Sequence, residues 1–298
     1  MVTNQKHFPR GAEWRQWDLH IHTPASFHWN GQRFDPNPNS SANTKLVDEM
    51  IVAINAAEPA VFALMDYWTF EGWFALKRRL KEVGAPQLKK RVFPGIELRL
   101  AAPTKCRLNA HVIFSDELED QTLHDFRSAL QVEIVSRPLS EASLIELARA
   151  VGEDKLKVHG FKKAEIDSDV GKALQAGSTI AEINCESYKA AIEKVPKEQA
   201  IGFMPYDTSD GLAEVKWQDH YAYFLGLFKS SPIFETRNSV IFPHKNRQSV
   251  KHVFVYHQIP SVSDSQWRNA AVDDCNILQC TQRSIAWPCP GWCTIPDE

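Results

Sequence analysis

The stretch Trp17-Asp18-Leu19-His20-Ile21-His22-Thr23 alternates apolar with polar side chains, the period of a half-buried strand, so His20 and His22 share one face. Two imidazoles side by side at a strand end can chelate one metal ion; the same pattern also occurs as a histidine pair facing solvent. Directly after it, Ser26 to Ser41 is rich in Asn, Pro, Gly and aromatic residues, a loop composition. A strand that ends in candidate ligands and opens into such a loop is how α/β barrels carry chemistry on their C-terminal rim.

Outward from this stretch, further strands are expected at Ala60–Met65, Arg91–Leu98, Ala110–Phe114, Ala200–Pro205 and Pro232–Glu235. Helical periods lie between them. Leu46, Val47, Met50, Ile51 and Ile54 follow a cap at Asn43 or Thr44. Leu144, Ile145, Leu147 and Ala148 follow Ser140, with Leu139 as a staple and Gly152 as the stop. Trp217, Tyr221, Phe224, Leu225 and Phe228 form a third face. This succession predicts a βα architecture with a largely parallel sheet. Glu153 to Gly177 is charged and weakly periodic, either a surface helical insert or a loop. There is no internal repeat and no Gly/Ser linker.

The chain has 298 residues, 43% hydrophobic and 24% charged, which suits an ordinary globular protein and allows one large α/β domain. With 34 Lys+Arg against 37 Asp+Glu, the formal net charge of −3 gives no global attraction to polyanions, so nucleic-acid contact would be local. No run approaches the ~18 apolar residues of a membrane span. The N-terminal residues Asn4, Gln5, Lys6, Arg10 and Glu13 do not form a secretory signal, so a cytoplasmic location and no membrane partner are expected. Cys106 and Cys185 stand alone, while Cys275, Cys280, Cys289 and Cys293 crowd the end without disulfide-framework or zinc-finger spacing.

Asp18-Leu19-His20-Ile21-His22-Thr23 resembles the opening motif of the PHP (polymerase and histidinol phosphatase) family, Asp-Leu-His-x-His-Thr. The family's Thr-Asp-His motif corresponds to Met65-Asp66-Tyr67, with Tyr67 where His is usual. Its Pro-Gly-x-Glu motif corresponds to Pro94-Gly95-Ile96-Glu97, and Asn109-Ala110-His111-Val112 supplies the next histidine in order. The wording from Phe8-Pro9-Arg10-Gly11 through Asp66-Tyr67, Glu71-Gly72 and His111-Val112-Ile113-Phe114-Ser115 is similar to the N-terminal module of TrlF-type proteins, which carry an SMC/AAA-like ATPase. Tyr after the Asp is usual in that subgroup. The likeness runs from about Phe8 to Asp264.

The resemblance implies an α/β fold, a distorted (β/α)7-type barrel over residues 8–265, with His20, His22, Asp66, Glu97 and His111 as metal ligands. Met204-Pro205-Tyr206-Asp207 stands where a later ligand would fall, offering Asp207 as an oxygen ligand or catalytic carboxylate and Asp210 as a base. Ser263-Asp264-Ser265-Gln266 matches the closing motif, with Asp264 as a ligand and Gln266 in place of His. Residues 266–298 read as an irregular tail, consistent with a truncation or a shifted reading frame near Gln266.

His, Asp and Glu together suit Mn, Zn or Fe, two or three ions per chain, and such a cluster suits hydrolysis of a phosphorylated small molecule or a nucleic acid. Arg237 would hold a phosphate oxygen, or form an ordinary ion pair. No Gly-x4-Gly-Lys-Ser/Thr loop occurs, so an ATPase would be a partner chain or a missing C-terminal half. Two other functions stay open. One is a degenerate scaffold for docking or nucleic-acid binding, which Tyr67 and Gln266 favour. The other is C–N hydrolysis in the amidohydrolase manner, which wants a late carboxylated Lys. Lys77-Arg78-Arg79 with Lys81, and Lys89-Lys90-Arg91, read as a nucleic-acid track or a solvated face. Trp29, Trp68 and Trp73 read as stacking platforms or packing, and His124 and His159 as surface or packing residues.

Overall fold

Apolar and β-branched runs become the strands β1 (Trp17–Ile21), β2 (Val61–Tyr67), β3 (Arg91–Leu100) and β4 (Leu108–Phe114). A small ribbon follows, β5 (Gln131–Val132) with β6 (Arg137–Pro138), and then β7 (Ala200–Pro205), β8 (Ile233–Thr236), β9 (Val253–His257) and β10 (Cys275–Ile277). The computed structural model describes residues 17–103, 107–206, 211–212, 220–231, 233–236, 253–257 and 275–277. Apart from β10, the tail expected at 266–298 lies outside these residues, as do Phe8 to Gly11.

The main sheet has the order β1-β2-β3-β4-β7-β8-β9-β10, and five strands form a curled half-barrel. It is mixed and not largely parallel. The pairs β1/β2, β2/β3 and β7/β8 are parallel, whereas β3/β4, β4/β7, β8/β9 and β9/β10 are antiparallel. The reason lies in the connection from Leu100 to Leu108, which is far shorter than the dozen or more residues that a parallel crossover needs. The chain therefore turns straight back. Among the described residues the strands do not close into a ring.

Helix α1 (Ser41–Ala56) is capped by Ser40, three or four residues before the expected Asn43 or Thr44, with the Ser40 side chain accepting from Ala42 N. Asn43 instead ties down the preceding loop, its amide donating to Asp35 O and Asn37 O (both 3.0 Å) while its Oδ1 accepts from Asp35 N at 2.7 Å. The other helices are α2 (Glu71–Arg79), α3 (Asp120–Ala129), α4 (Glu141–Ala150), α5 (Glu153–Val158), α6 (Lys163–Ser168), α7 (Val170–Ile180), α8 (Cys185–Lys194) and α9 (Tyr221–Ser230). Helix α4 starts after Ser140 as expected, and Ser140 forms a capping box with Ser143. The charged stretch from Glu153 resolves as the helical alternative, α5 to α7, which bury Leu156, Ile166, Ala173 and Ala176. Among the described residues no helix is long and apolar enough to cross a membrane.

The two faces of the sheet carry different cores. The outer face, with Phe62, Leu64, Ile96, Leu98, Ala110, Val112 and Phe114, joins the helices in one large apolar cluster. The inner face has a smaller cluster of Leu19, Val61, Ala63, Met65, Phe93, Ile113, Phe203 and Ile233. Each such side chain contributes ~1.5–3 kcal/mol on full burial, so the outer layer supplies most of the stability and the inner one seals the sheet's interior.

Candidate metal centre

One extra residue in β1 decides which side chains reach the inner face. Trp17 pairs with Val61 and Asp18 with Phe62, but Ile21 pairs with Leu64, a bulge between Asp18 and Ile21. Without it, Leu19 and Ile21 would share a face. With it, Leu19 packs in the inner cluster and Ile21 against the outer one, so His20 and His22 both turn inward. Register brings their partners. Glu97 lies beside Tyr67 across the parallel β2/β3 pair and opposite His111 across the antiparallel β3/β4 pair, and Arg99 lies opposite Asn109 on the same face.

Glu97 is the hub of this group. Its Oε2 lies 3.0 Å from His20 Nε2 and 3.5 Å from His22 Nε2. Its Oε1 lies 3.4 Å from His111 Nε2 and accepts from Asn109 Nδ2 at 2.7 Å. Ligand atoms of His20, His22 and Glu97 all fall within 4.8 Å of one another. The His20 ring centroid is 5.2 Å from that of His22 and 4.6 Å from that of His111.

Glu97 is only 3% exposed. Burial alone would raise its pKa, but hydrogen bonds from His111 and His20, and their charge, hold it well below the usual carboxylate range. His22 moves down to about 4, chiefly through burial, with His20 and His28 adding to the fall and Glu97 opposing it. A deprotonated carboxylate beside a neutral His22 imidazole is the state a metal requires of its ligands.

Asp66 has a different setting. It pairs in register with Ile96, a residue of the outer cluster, and its carboxylate accepts from Thr23 N at 2.7 Å and Thr23 Oγ1 at 2.6 Å. Burial raises its pKa to about 6, against the Thr23 hydrogen bonds. The structure therefore places Asp66 where it fixes the residue after His22, outside the three residues whose ligand atoms converge. The start of α2 rests on this pair. A Cβ at Gly72 would come within 2.2 Å of Thr23 Oγ1 and 2.3 Å of Asp66 Oδ2, so only glycine allows the approach.

Tyr67, in the place of the family's usual histidine, is 7% exposed. Its hydroxyl accepts from Asn109 Nδ2 at 3.0 Å. Burial, then the charge of Glu97, pushes the phenol far above its ordinary range, so it stays neutral. Its ring stacks with His22 at 5.7 Å and His28 at 4.8 Å. Next to it, Trp68 adopts a left-handed backbone, φ 66°, a strain of ~1–3 kcal/mol. Three contacts hold it: Trp68 N donates to Glu97 O (3.3 Å), its Nε1 to Ser178 O (3.0 Å), and Arg127 Nε to its carbonyl (2.7 Å).

His20, His22, Glu97 and His111 thus lie together, and Asp66 stands beside them. Asp207, Asp210, Arg237, Asp264 and Gln266 lie outside the described residues. Sequence reading passed over Asn109, Arg99 and His28, although the alternation Ile96-Glu97-Leu98-Arg99-Leu100 already placed Arg99 on the face of Glu97. Three residues of the basic runs are engaged elsewhere. Lys77 pairs with Asp120 (2.5 Å), Arg79 with Asp48 (2.7 Å) and Glu82 (3.1 Å), and Arg91 with Asp116 (2.8 Å). Trp68 and Trp73 are buried in the outer core, and His124 stacks on Phe74 at 4.5 Å.

No protein-family model and no curated protein matches the chain. Among solved structures it is similar to an amidohydrolase from Chromobacterium violaceum, at 14% identity and a TM-score of 0.38, over 72% of this chain and 74% of that one. It is also similar to a protein assigned as a metal-dependent phosphoesterase from Bifidobacterium adolescentis, at 12% identity and a TM-score of 0.35, over 72% of this chain and 76% of that one. These likenesses are distant.

Proposed function

We propose that the chain is a metal-dependent hydrolase of phosphoesters. The observation that carries this reading is the convergence of His20, His22 and Glu97, with ligand atoms within 4.8 Å of one another around a carboxylate 3% exposed. Imidazole nitrogens with a carboxylate oxygen fit Zn, Mn or Fe better than Mg or Ca. His20, His22 and Glu97 would hold the ion, and His111, on the other Glu97 oxygen, would extend the site toward a second. Such ions, when bound, supply Lewis acidity toward a phosphoryl oxygen and lower the pKa of water.

The chain's own residues then do defined work. Asn109 fixes both Glu97 and the Tyr67 hydroxyl. Asp66 holds Thr23, which anchors the backbone just beyond His22. The apolar inner cluster beneath keeps water from the far side, so charges at the rim act in a low dielectric. Phosphoester chemistry, two or three metal ions, Asp207 and Asp264 as further carboxylates, Arg237 as a phosphate contact and an SMC/AAA-like ATPase as partner all belong to this proposal and rest on the motif resemblance. The second reading, a docking or nucleic-acid-binding scaffold, draws on Tyr67 at the usual histidine position.

The test is turnover by full-length protein loaded with Mn or Zn on bis(p-nitrophenyl) phosphate, p-nitrophenyl phosphate, single-stranded DNA and a panel of amides. Phosphoester cleavage abolished by His20→Ala is the expected result. Cleavage of amides alone would replace the phosphoester assignment with C–N hydrolysis. Metal binding without any turnover would favour the scaffold.

A further inference from the structure

Next to the ligand group, the inner face carries a second set of polar side chains, all of them bases. Arg99, two residues beyond Glu97 on β3, is 3% exposed. Its Nη1 donates to Ser178 O (3.2 Å) and Thr179 O (2.5 Å) in the last turn of α7. Its Nη2 lies 3.2 Å from His28 Nε2. A guanidinium can only donate, so this His28 nitrogen accepts. The guanidinium also lies 4.8 Å from the Tyr67 ring and 5.4 Å from the Phe27 ring.

Arg107 donates to the same Thr179 carbonyl at 3.3 Å and sits 3.5 Å from His159 Nδ1. Two guanidiniums therefore meet at one carbonyl, and among the described residues neither has a carboxylate within ion-pair distance. The end of α7 offers only about half a negative charge against two positive ones. Glu97 is the carboxylate on the same face, but the imidazoles and Asn109 engage both its oxygens. The surroundings register the excess. His28 and His159 are both shifted down, first by burial and then by Arg99 and Arg107 respectively, with Glu97 opposing at His28; Arg99 itself is shifted down chiefly by burial, with Arg107 adding to the fall and Tyr67 and Glu97 opposing it. A buried charge without a counter-ion is costly, and an anion entering here would recover part of that cost.

We propose that Arg99 and Arg107 form an oxyanion-recognition site beside the metal centre, with His28 as the displaceable partner of Arg99. The substrate then carries a second anionic group, separated by the Tyr67 ring from the group that reaches His20, His22 and Glu97. His28 lies on the exposed rim loop, so it can swing out while Arg99 Nη2 exchanges a neutral nitrogen for a charged oxygen. A tetrahedral phosphate can address both guanidiniums at once, which a single carboxylate does less well. The identity of the substrate rests on the hydrolase reading; the anion binding does not.

The experiment titrates inorganic phosphate, and acetate in parallel, into full-length protein stripped of metal by chelation, by calorimetry at low ionic strength. Saturable phosphate binding is expected, weakened about tenfold by Arg107→Gln, an exposed position where folding is safe. His28→Ala should bind phosphate at least as well as the parent. A His20→Ala/His22→Ala protein should keep phosphate binding, so the site stands even if the metal reading fails. Tighter acetate than phosphate would keep the site and make the recognised group a carboxylate. No saturable binding of either anion, unchanged affinity in Arg107→Gln, or loss of binding in the double histidine variant would overturn the proposal.

Discussion

The inner face of the sheet holds two neighbourhoods one same-face step apart. Met65, Gly95 and Ile113 belong to the apolar floor; the next inward residues, Tyr67, Glu97 and His111, belong to the polar rim. A step of two residues is ~6.6 Å along a strand, enough to pass from dry packing to a buried carboxylate with an imidazole on each oxygen. Period two chooses the face, and the position along the strand chooses the chemistry. The floor makes the rim possible, because a buried carboxylate at the edge of an apolar layer has to find its partners among its neighbours and not in water.

If the two neighbourhoods are as distinct as they look, substitutions in them should separate stability from metal affinity. Phe93→Ala is expected to cost ~3–5 kcal/mol in a denaturant midpoint while leaving metal stoichiometry intact. Glu97→Gln should do the reverse, lowering metal affinity by about 100-fold or more with a modest change in melting temperature. If both variants lost both properties together, the division would be wrong. Asn109→Ala sharpens the contrast, since Asn109 is not one of the converging ligand residues yet holds Glu97. About 10- to 100-fold weaker metal binding is expected, read by competition with a chromogenic chelator. Gly72→Ala tests the seam between rim and α2. Its Cβ would collide with Thr23 and Asp66, and thermal melting should show a loss of ~1–3 kcal/mol.

The smallest net effect is that of pH. In metal-free protein His22 titrates at about 4, below its ordinary 6.5, so the unfolded chain takes up the extra proton first. Its contribution, at most ~3 kcal/mol, is present above pH 6.5 and is lost as pH falls toward 4. Asp66, raised to about 6 from 3.8, acts in the opposite direction, since the folded form holds its proton through that window and gains stability as pH falls. The parent should show a shallow dependence between pH 4 and 6.5. Asp66→Asn should steepen the acid loss in denaturant midpoints, and an unchanged slope would contradict the opposition.

Much of the site was legible in the sequence because its polar residues interrupt apolar strand runs. His20 and His22 close the alternating run of β1, Glu97 follows Val92 to Ile96 in β3 and His111 precedes Val112-Ile113-Phe114 in β4, and the motif resemblance aligned them in order. The bulge that turns both histidines inward was not legible, because a single extra residue in β1 shows only once β2 is paired against it. The mixed sheet was missed although the short connection from Leu100 to Leu108 excluded a crossover helix. Arg99 and Asn109 were overlooked for a different reason. Each looks like an isolated polar residue in a buried strand, and only the β3/β4 register, with Arg99 opposite Asn109 and Glu97 opposite His111, makes them one group. In the stretch from Glu153 to Ser168, each short helix buries a single residue, too weak a period to separate helix from loop.

The most direct test is elemental mass spectrometry on full-length protein purified without chelator and then dialysed against Mn and Zn, with Glu97→Gln in parallel. The metal-centre reading predicts at least one transition-metal ion per chain in the parent and none retained in Glu97→Gln. A parent that holds no metal under any loading, or a Glu97→Gln protein that holds as much as the parent, would contradict it.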